Sequence, residues 1–459
     1  MSDKTKPILL LQKAIGYHRS GNFSQASKLY RKFLTQHPDN ADALHFLGIL
    51  ESQNGNYAES VKLISRAVHL MEKHSGQNPN YCNAANNLGN ALKYQGKPDL
   101  ALSSYKKALK VEPLNVVTIN STGNALKDLG RFAEAETYFR QAVRLKPDYA
   151  DAYANLGNSL REQGHLPEAV IAYRKATSLD PGHAGAHNNL AIALLSTGDF
   201  ENGWKEYEWR WQANQWKPRP YRFPVWNGES LNGRNILVYS EQGIGDEIMF
   251  SSCYPELCSI AGNVIIECDP RLEPLFRRSF ATAICRGIDR ENSDTSWLSD
   301  VPVIDVQIPA GSIPLHLRPG LESFPQHQGY LRPDPEQARR WKSQYAELGR
   351  GYKVGISWRG GTCVADKKAR SLDLKKWAEI FRIPDTQFIN LQYGECGEEI
   401  SAIREQLGVH IHDWDDADPL SDMDSFIAQI KSLDLVISVD NSTVHAAGSV
   451  GTEAWAIQR

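Results

Sequence analysis

The sequence predicts an α-helical solenoid followed by an α/β region of two parallel-sheet lobes. Three observations carry this. A 34-residue period in small, aromatic and proline residues fills the first half. Short apolar runs alternate with helical patterns through the second half. Between them, the stretch NILVYSEQGIGDEIMF (235–250) sets a buried strand, a glycine-broken loop and a helix start in succession. At 459 residues the chain is too long for one core, and two to four domains are expected. Apolar residues at 41% and charged residues at 23% are ordinary for a globular chain. A net charge of −3 gives no global field favouring nucleic acid or an anionic membrane. The run ILLL at 8–11 is too short for a signal segment, and no apolar stretch reaches the ~18 residues of a spanning helix. The seven cysteines form no C-x-x-C pair, so free thiols in a reducing, cytoplasmic setting are expected.

The repeats come first. Gly89, Gly123, Gly157 and Ala191 are spaced by 34, as are Ala101, Ala135, Ala169 and Gly203. Tyr105, Phe139, Tyr173 and Tyr207 keep the same interval, as do Pro113, Pro147 and Pro181. Ala26 with Ser60 and Tyr30 with Ile64 extend it toward the N-terminus, before a seven-residue slip around KHSGQNP (73–79), read as a longer loop. Each unit reads as two amphipathic helices. Small residues allow close approach, an aromatic fills the groove beneath the next unit, and proline ends the second helix. This spacing closely resembles the tetratricopeptide repeat. Five full repeats and a sixth that breaks pattern span roughly 7–211, and the aromatics at 204, 207 and 211 suit a capping helix over the open end. Asn87, Asn90, Asn124, Asn155, Asn158 and Asn189 recur near one phase of the first helices, although asparagine is a mediocre helix former. They resemble the asparagine ladder of the repeats in protein O-GlcNAc transferases. The resemblance implies carboxamides on a concave face that hold a protein or peptide; duplication of the repeat also produces such a ladder.

Residues 212–233, with three prolines and little periodicity, read as a linker. Then NILVYS, NVIIEC, VIDVQI, KVGISW, TQFINLQ, VHIHDW and LVISVD alternate with helical patterns, the rhythm of a mostly parallel sheet. A helix and hinge at 331–351 divides them into Rossmann-like lobes at 234–330 and 352–459.

The turn after the first strand fits neither a dinucleotide fingerprint, which lacks its third glycine here, nor a phosphate loop, which lacks G-K-[ST]. A methyltransferase turn is imitated by Glu241 with two glycines, and Glu267 or Asp269 lies where a ribose-binding acid falls. A fourth pattern fits more of the chain. EQGIGDEIMF (241–250), VGISWRG (354–360), Arg370-Ser371 and DLVISVDNSTVHAAG (434–448) occur in the order found in bacterial tetratricopeptide-repeat proteins fused to a heptosyltransferase-like region. This resemblance covers nearly the whole chain. It implies a GT-B-type pair of lobes and an inverting, metal-independent glycosyltransferase, with a nucleotide-diphosphate sugar as donor, no cofactor, no metal and no nucleic-acid partner. By the same resemblance Asp246 matches the catalytic base, a position that also suits a helix cap. Gly243 and Gly245 let substrates approach the backbone. Arg359, Lys367, Lys368 and Arg370 form a basic loop suited to a diphosphate. Asp440, Ser442, Thr443 and His445 stand at a helix N-terminus suited to phosphate oxygens, where Asp440 and Ser442 also suit capping. Gln392 ends a strand toward the same cleft. After GTEAWAIQR the resemblance implies a further strand–helix pair, so the second lobe is expected to be incomplete. Two other functions remain open: a repeat scaffold with a vestigial catalytic half, and a methyltransferase on the first lobe.

Overall fold

A computed structural model of the chain describes residues 5–73, 78–289, 294–326, 328–361 and 370–457. It divides into two compact units, 1–214 and 215–459. The first is wholly helical and is built of antiparallel pairs: α1 (Thr5–Arg19) with α2 (Phe23–Gln36), α3 (Ala41–Gln53) with α4 (Tyr57–Lys73), α5 (Tyr81–Tyr94) with α6 (Pro98–Val111). Then follow α7 (Val116–Asp128) with α8 (Phe132–Leu145), α9 (Ala150–Glu162) with α10 (Leu166–Leu179), and α11 (Ala184–Ser196) with the short α12 (Phe200–Tyr207) and α13 (Arg210–Ala213). Within each pair the turn carries a left-handed glycine, as at Gly96, Gly130 and Gly164 (φ +77°, +74° and +79°), a conformation a Cβ disfavours. Helix α4 runs to Lys73, and residues 74–77 of the expected longer loop lie outside the described residues.

In three successive pairs the aromatic also has a partner within its own repeat. Tyr105, Phe139 and Tyr173 are fully buried against the glycine of their own repeat's first helix, within a core cluster that runs through the neighbouring repeats. A Cβ on Gly89, Gly123 or Gly157 would come within 2.3, 2.5 or 2.6 Å of these rings. The glycine thus makes the socket that the ring fills. At the C-terminal end, Trp209 stacks on His187 with ring centroids 4.1 Å apart, and the buried Arg210 lies over Tyr207 and Trp211.

The second unit holds two parallel sheets. The first is ordered β3-β2-β1-β4, from β1 (Asn235–Tyr239), β2 (Asn263–Cys268), β3 (Ile284–Gly287) and β4 (Val306–Pro309). The second is ordered β7-β6-β5-β8-β9, from β5 (Tyr352–Ser357), β6 (Thr386–Asn390), β7 (Ile411–His412), β8 (Leu435–Val439) and β9 (Ala454–Ile457). Strands β1, β2, β5 and β8 are almost continuously buried, as strands covered on both faces must be. Strands β3 and β9 had no counterpart in the sequence reading. The helices that matter for the site are α14 (Ile244–Phe250), α15 (Tyr254–Ile260), α16 (Glu273–Ser279), α17 (Ile313–Leu317), α18 (Pro335–Glu347), α19 (Ala378–Phe381), α20 (Gly397–Leu407), α21 (Met423–Lys431) and α22 (Ser442–Val450). Among the described residues no helix is long and apolar enough to cross a membrane, and the six described cysteines are free thiols. Cys363 lies outside the described residues.

Candidate functional site

The two sheets of the second unit face a shared cleft of about 1020 Å³. Its floor is the meeting of two strand-to-helix junctions, β1 into α14 and β8 into α22. At the first, Gly243 precedes α14 and Asp246 stands in its first turn, where its carboxylate accepts the Gly243 N–H at 3.1 Å. Asp246 therefore does the local work of a cap from inside the helix, while still lining the cleft. Gly245 leaves little room for a side chain: a Cβ there would stand 3.2 Å from Ser442 Cα and 3.3 Å from the His445 ring, so the neighbours would have to give way slightly. Close packing of α14 on α22 at this glycine brings Asp246 and His445 into one crevice.

At the second junction Asn441 caps α22. Its Oδ1 accepts the Thr443 N–H at 2.9 Å and the Ser438 hydroxyl at 3.0 Å. Its Nδ2 donates to Ser357 Oγ at 2.8 Å and to the Arg359 carbonyl at 3.0 Å. One buried carboxamide thus fixes the end of β8, the start of α22 and the end of β5. Ser442 and His445 line the cleft, but Thr443 is fully buried behind the helix and does not reach it. Burial holds the His445 imidazole below its ordinary pKa and Arg370 adds to this, while Asp246 and Asp440 oppose it. A neutral ring at neutral pH carries a single N–H to offer.

Arg370 lines the cleft, and its guanidinium is held by Asp440 at 2.9 Å. Two of the expected donor residues turn elsewhere. Arg359 donates to the Glu395 carbonyl at 2.7 Å and pairs with Glu399 at 3.2 Å. Gln392 is buried, and its Oε1 accepts the N–H groups of Trp358 at 3.0 Å and Arg359 at 2.7 Å. It braces the loop after β5 and does not face the main cleft. Its side chain borders a smaller hollow of about 540 Å³ with Trp414 and Asp413, continuous with the cleft at Tyr393, Pro419 and Leu420. Lys367 and Lys368 lie outside the described residues.

The cleft also holds Asp269, which the sequence reading weighed as a ribose-binding acid, and Arg271, Asp289 and Tyr393, which it missed. Asp269 and Arg271 form a two-point ion pair on its wall, at 2.8 and 2.9 Å, and Arg271 also donates to the Pro419 carbonyl of the other lobe at 3.3 Å. Asp289 and Tyr393 complete the wall. Glu267, the other acid weighed for a ribose, is fully enclosed by Arg219 at 2.8 Å and by the Tyr221 hydroxyl, and is closed to a ligand.

In the helical unit the six asparagines part into two groups. Asn90 and Asn158 accept the hydroxyls of Tyr105 at 2.7 Å and Tyr173 at 2.8 Å, so their carboxamide oxygens are engaged inside their own repeats. Asn124 holds the equivalent position opposite Phe139, which has no hydroxyl to offer. Asn87, Asn155 and Asn189 instead bridge successive first helices. The Asn87 amide lies 3.0 Å from His45 Nε2, the Asn155 amide donates to Asn120 at 3.3 Å, and Asn189 accepts from Arg161 at 3.4 Å.

The tetratricopeptide-repeat family profile matches residues 39–111, 121–184 and 156–208. The helical unit is a tetratricopeptide-repeat solenoid. It is followed by an α/β region of parallel sheets, and the repeat architecture is that of a protein-interaction scaffold. Protein FlbA of Caulobacter vibrioides (strain ATCC 19089 / CIP 103742 / CB 15) is 33% identical over 270 residues, covering 56% of this chain and 45% of that protein. The chain therefore spans less than half the length of that relative. Among solved structures, YrrB, described as a TPR protein with an unusual peptide-binding site, is 22% identical, with 40% of this chain and 91% of that one covered at a TM-score of 0.35. MamA of AMB-1 is 27% identical, with 39% and 94% covered at a TM-score of 0.33.

Proposed function

We propose that the tetratricopeptide repeats hold an extended segment of a partner protein along their first helices. The observation that carries this reading is the set of polar contacts between successive first helices: His45 with Asn87, Asn120 with Asn155, and Arg161 with Asn189. His45 and Asn120 are buried, whereas Asn87, Asn155, Arg161 and Asn189 stay partly exposed along the first helices, and polar groups so placed suit the backbone of an extended peptide. Peptide capture by the full chain, read by fluorescence anisotropy and weakened by Asn155→Ala, tests it. Unchanged binding by that variant removes the ladder from the account.

The cleft favours a second reading beside the first: the α/β region is a GT-B-type glycosyltransferase, inverting and metal-independent, acting on the segment that the repeats bind. Asp246 takes the proton of an acceptor hydroxyl as the oxygen attacks the anomeric carbon. The nucleoside diphosphate departs with the bonding electrons, and the new bond forms on the opposite face. Arg370, the Ser442 N–H that opens α22 and the His445 ring N–H are the donors for the leaving phosphates, the Thr443 N–H being taken by Asn441. What supports this is the convergence of Asp246, Arg370, Ser442 and His445 on one crevice between two parallel-sheet lobes. Calorimetric titration with a panel of nucleoside diphosphates and with S-adenosylmethionine separates the possibilities. Diphosphate binding retained in Asp246→Asn with turnover abolished supports transfer. Absence of heat with every nucleotide leaves a scaffold with an inert second unit. Heat with S-adenosylmethionine alone restores the methyltransferase.

A further inference from the structure

A second register runs beside the asparagines. Lys93, Lys127 and Arg161 occupy the same position, 34 residues apart, near the C-terminal ends of α5, α7 and α9. These first helices touch one another in turn, so the three cations share one surface. Each is half-buried, and each reaches the following repeat. Lys93 Nζ lies 4.0 Å from Asp128, Lys127 Nζ donates to Asn155 Oδ1 at 3.5 Å, and Arg161 donates to Asn189 Oδ1 at 3.4 Å. Two carboxylates flank the row: Asp128 beside Lys93, and Glu162, which pairs with Arg161 at 2.9 Å. Among the described residues Lys127 has no ion pair within 4.0 Å.

That central lysine is the informative one. Burial pushes its pKa below the ordinary value, and Lys93 and Arg161 push the same way, against Asp128 and Glu162. A half-desolvated ammonium without an anion is costly, and an incoming carboxylate relieves the cost. The row is a single file one cation wide, interrupted by Asp128 and Glu162. A continuous polyphosphate backbone would meet those two carboxylates, whereas isolated acidic side chains on an extended chain can fall between them.

We propose that Lys93, Lys127 and Arg161 select an extended protein segment rich in Asp and Glu, with Lys127 as the central anchor. This rests on the scaffold reading above and names its partner's chemistry. The test uses the full chain and three labelled peptides of about twelve residues, alternating Glu/Ser, Gln/Ser or Lys/Ser, each spanning roughly 40 Å when extended. The Glu/Ser peptide is expected to bind about tenfold more tightly than Gln/Ser, with affinity falling as salt rises. Lys127→Gln should weaken Glu/Ser binding about tenfold, Lys127→Arg should restore it, and Lys127→Glu should favour Lys/Ser, all with an unchanged helical circular dichroism spectrum. Equal binding of Glu/Ser and Gln/Ser, indifferent to Lys127→Gln, overturns the acidic preference and leaves the scaffold reading standing. Displacement of Glu/Ser by a single-stranded oligonucleotide at lower concentration than by itself also overturns it. If a natively helical protein binds none of the three peptides, the selectivity and the scaffold reading fall together.

Discussion

At the scale of single residues, the repeats are specified by contacts that the spacing implies but does not explain. Gly89 and Gly157 are sockets for Tyr105 and Tyr173, and Asn90 and Asn158 close each socket by accepting the tyrosine hydroxyl. The fourth repeat keeps the glycine and the asparagine but holds Phe139. Phe139→Tyr should therefore supply the missing hydroxyl to Asn124 and raise stability by about 1 kcal/mol, read from the urea midpoint of the helical signal. The Asn124→Ala background should abolish that gain. His45 is a second such case. Burial drives its imidazole down to about 4, with Asp42 opposing. The Asn87 amide against Nε2 is consistent with a neutral ring. The unfolded chain binds this proton near pH 6.5 and the folded chain only near 4. Stability is thus complete above about pH 6.5 and falls by about 3 kcal/mol as pH drops through that window. His45→Gln should flatten this part of the stability–pH curve. An unaltered slope between pH 6.5 and 4 would show that other groups set it.

At the scale of elements, what the sequence revealed depended on how far apart the interacting residues stand. The helix pairs were legible because their signal repeats every 34 residues. Strands β1, β2, β5 and β8 were legible as short, mostly apolar runs, despite Glu267 in β2, Lys353 in β5 and Ser438 in β8. Strand β3 was not, since ICRG is four residues long and ends on a charge and a glycine; β9 was not, since AWAI is also only four residues long and its two middle residues are exposed. The expected site divided in the same way. Asp246, Ser442 and His445 converge because the glycine-rich turn and the α22 start are each local patterns. Gln392 and Thr443 turned away because the direction of a side chain at a strand or helix end is set by tertiary partners. Asn441 shows the element-scale consequence. Its four hydrogen bonds join β8, α22 and the end of β5, so Asn441→Ala leaves Ser357 and the Arg359 carbonyl without this partner. A loss of about 2–3 kcal/mol for the second unit is expected by chemical denaturation, with Asn441→Asp recovering the cap but not the two donated bonds.

At the scale of the whole α/β unit, a cleft between two sheets exists only if something holds the lobes at a fixed separation. The floor does part of this through α14 on α22. Two contacts add a brace on the side of α16: Arg278 grips both oxygens of Asp424 in α21, and its Nε donates to the Arg332 carbonyl at 2.9 Å. Tyr330 adds a bond from its hydroxyl to the Ile248 carbonyl at 2.9 Å. None of these pairs is close in sequence, and no period marks them, so no reading of the sequence alone could join them. Arg278 and Asp424 retain side-chain exposures of 28% and 15%, which places their pairing between a screened surface bridge and a buried one. If the pair serves as a brace, Arg278→Gln and Asp424→Asn should each destabilise the unit, and the double variant should lose less than their sum. A coupling of about 1–2 kcal/mol is expected from the four denaturation curves, falling modestly at high salt because the pair is partly shielded. A coupling near zero would mean that α14 on α22 alone sets the width of the cleft. In that case Gly245→Ala, which forces α14 from Ser442 and His445 by a few tenths of an ångström, becomes the variant expected to open it.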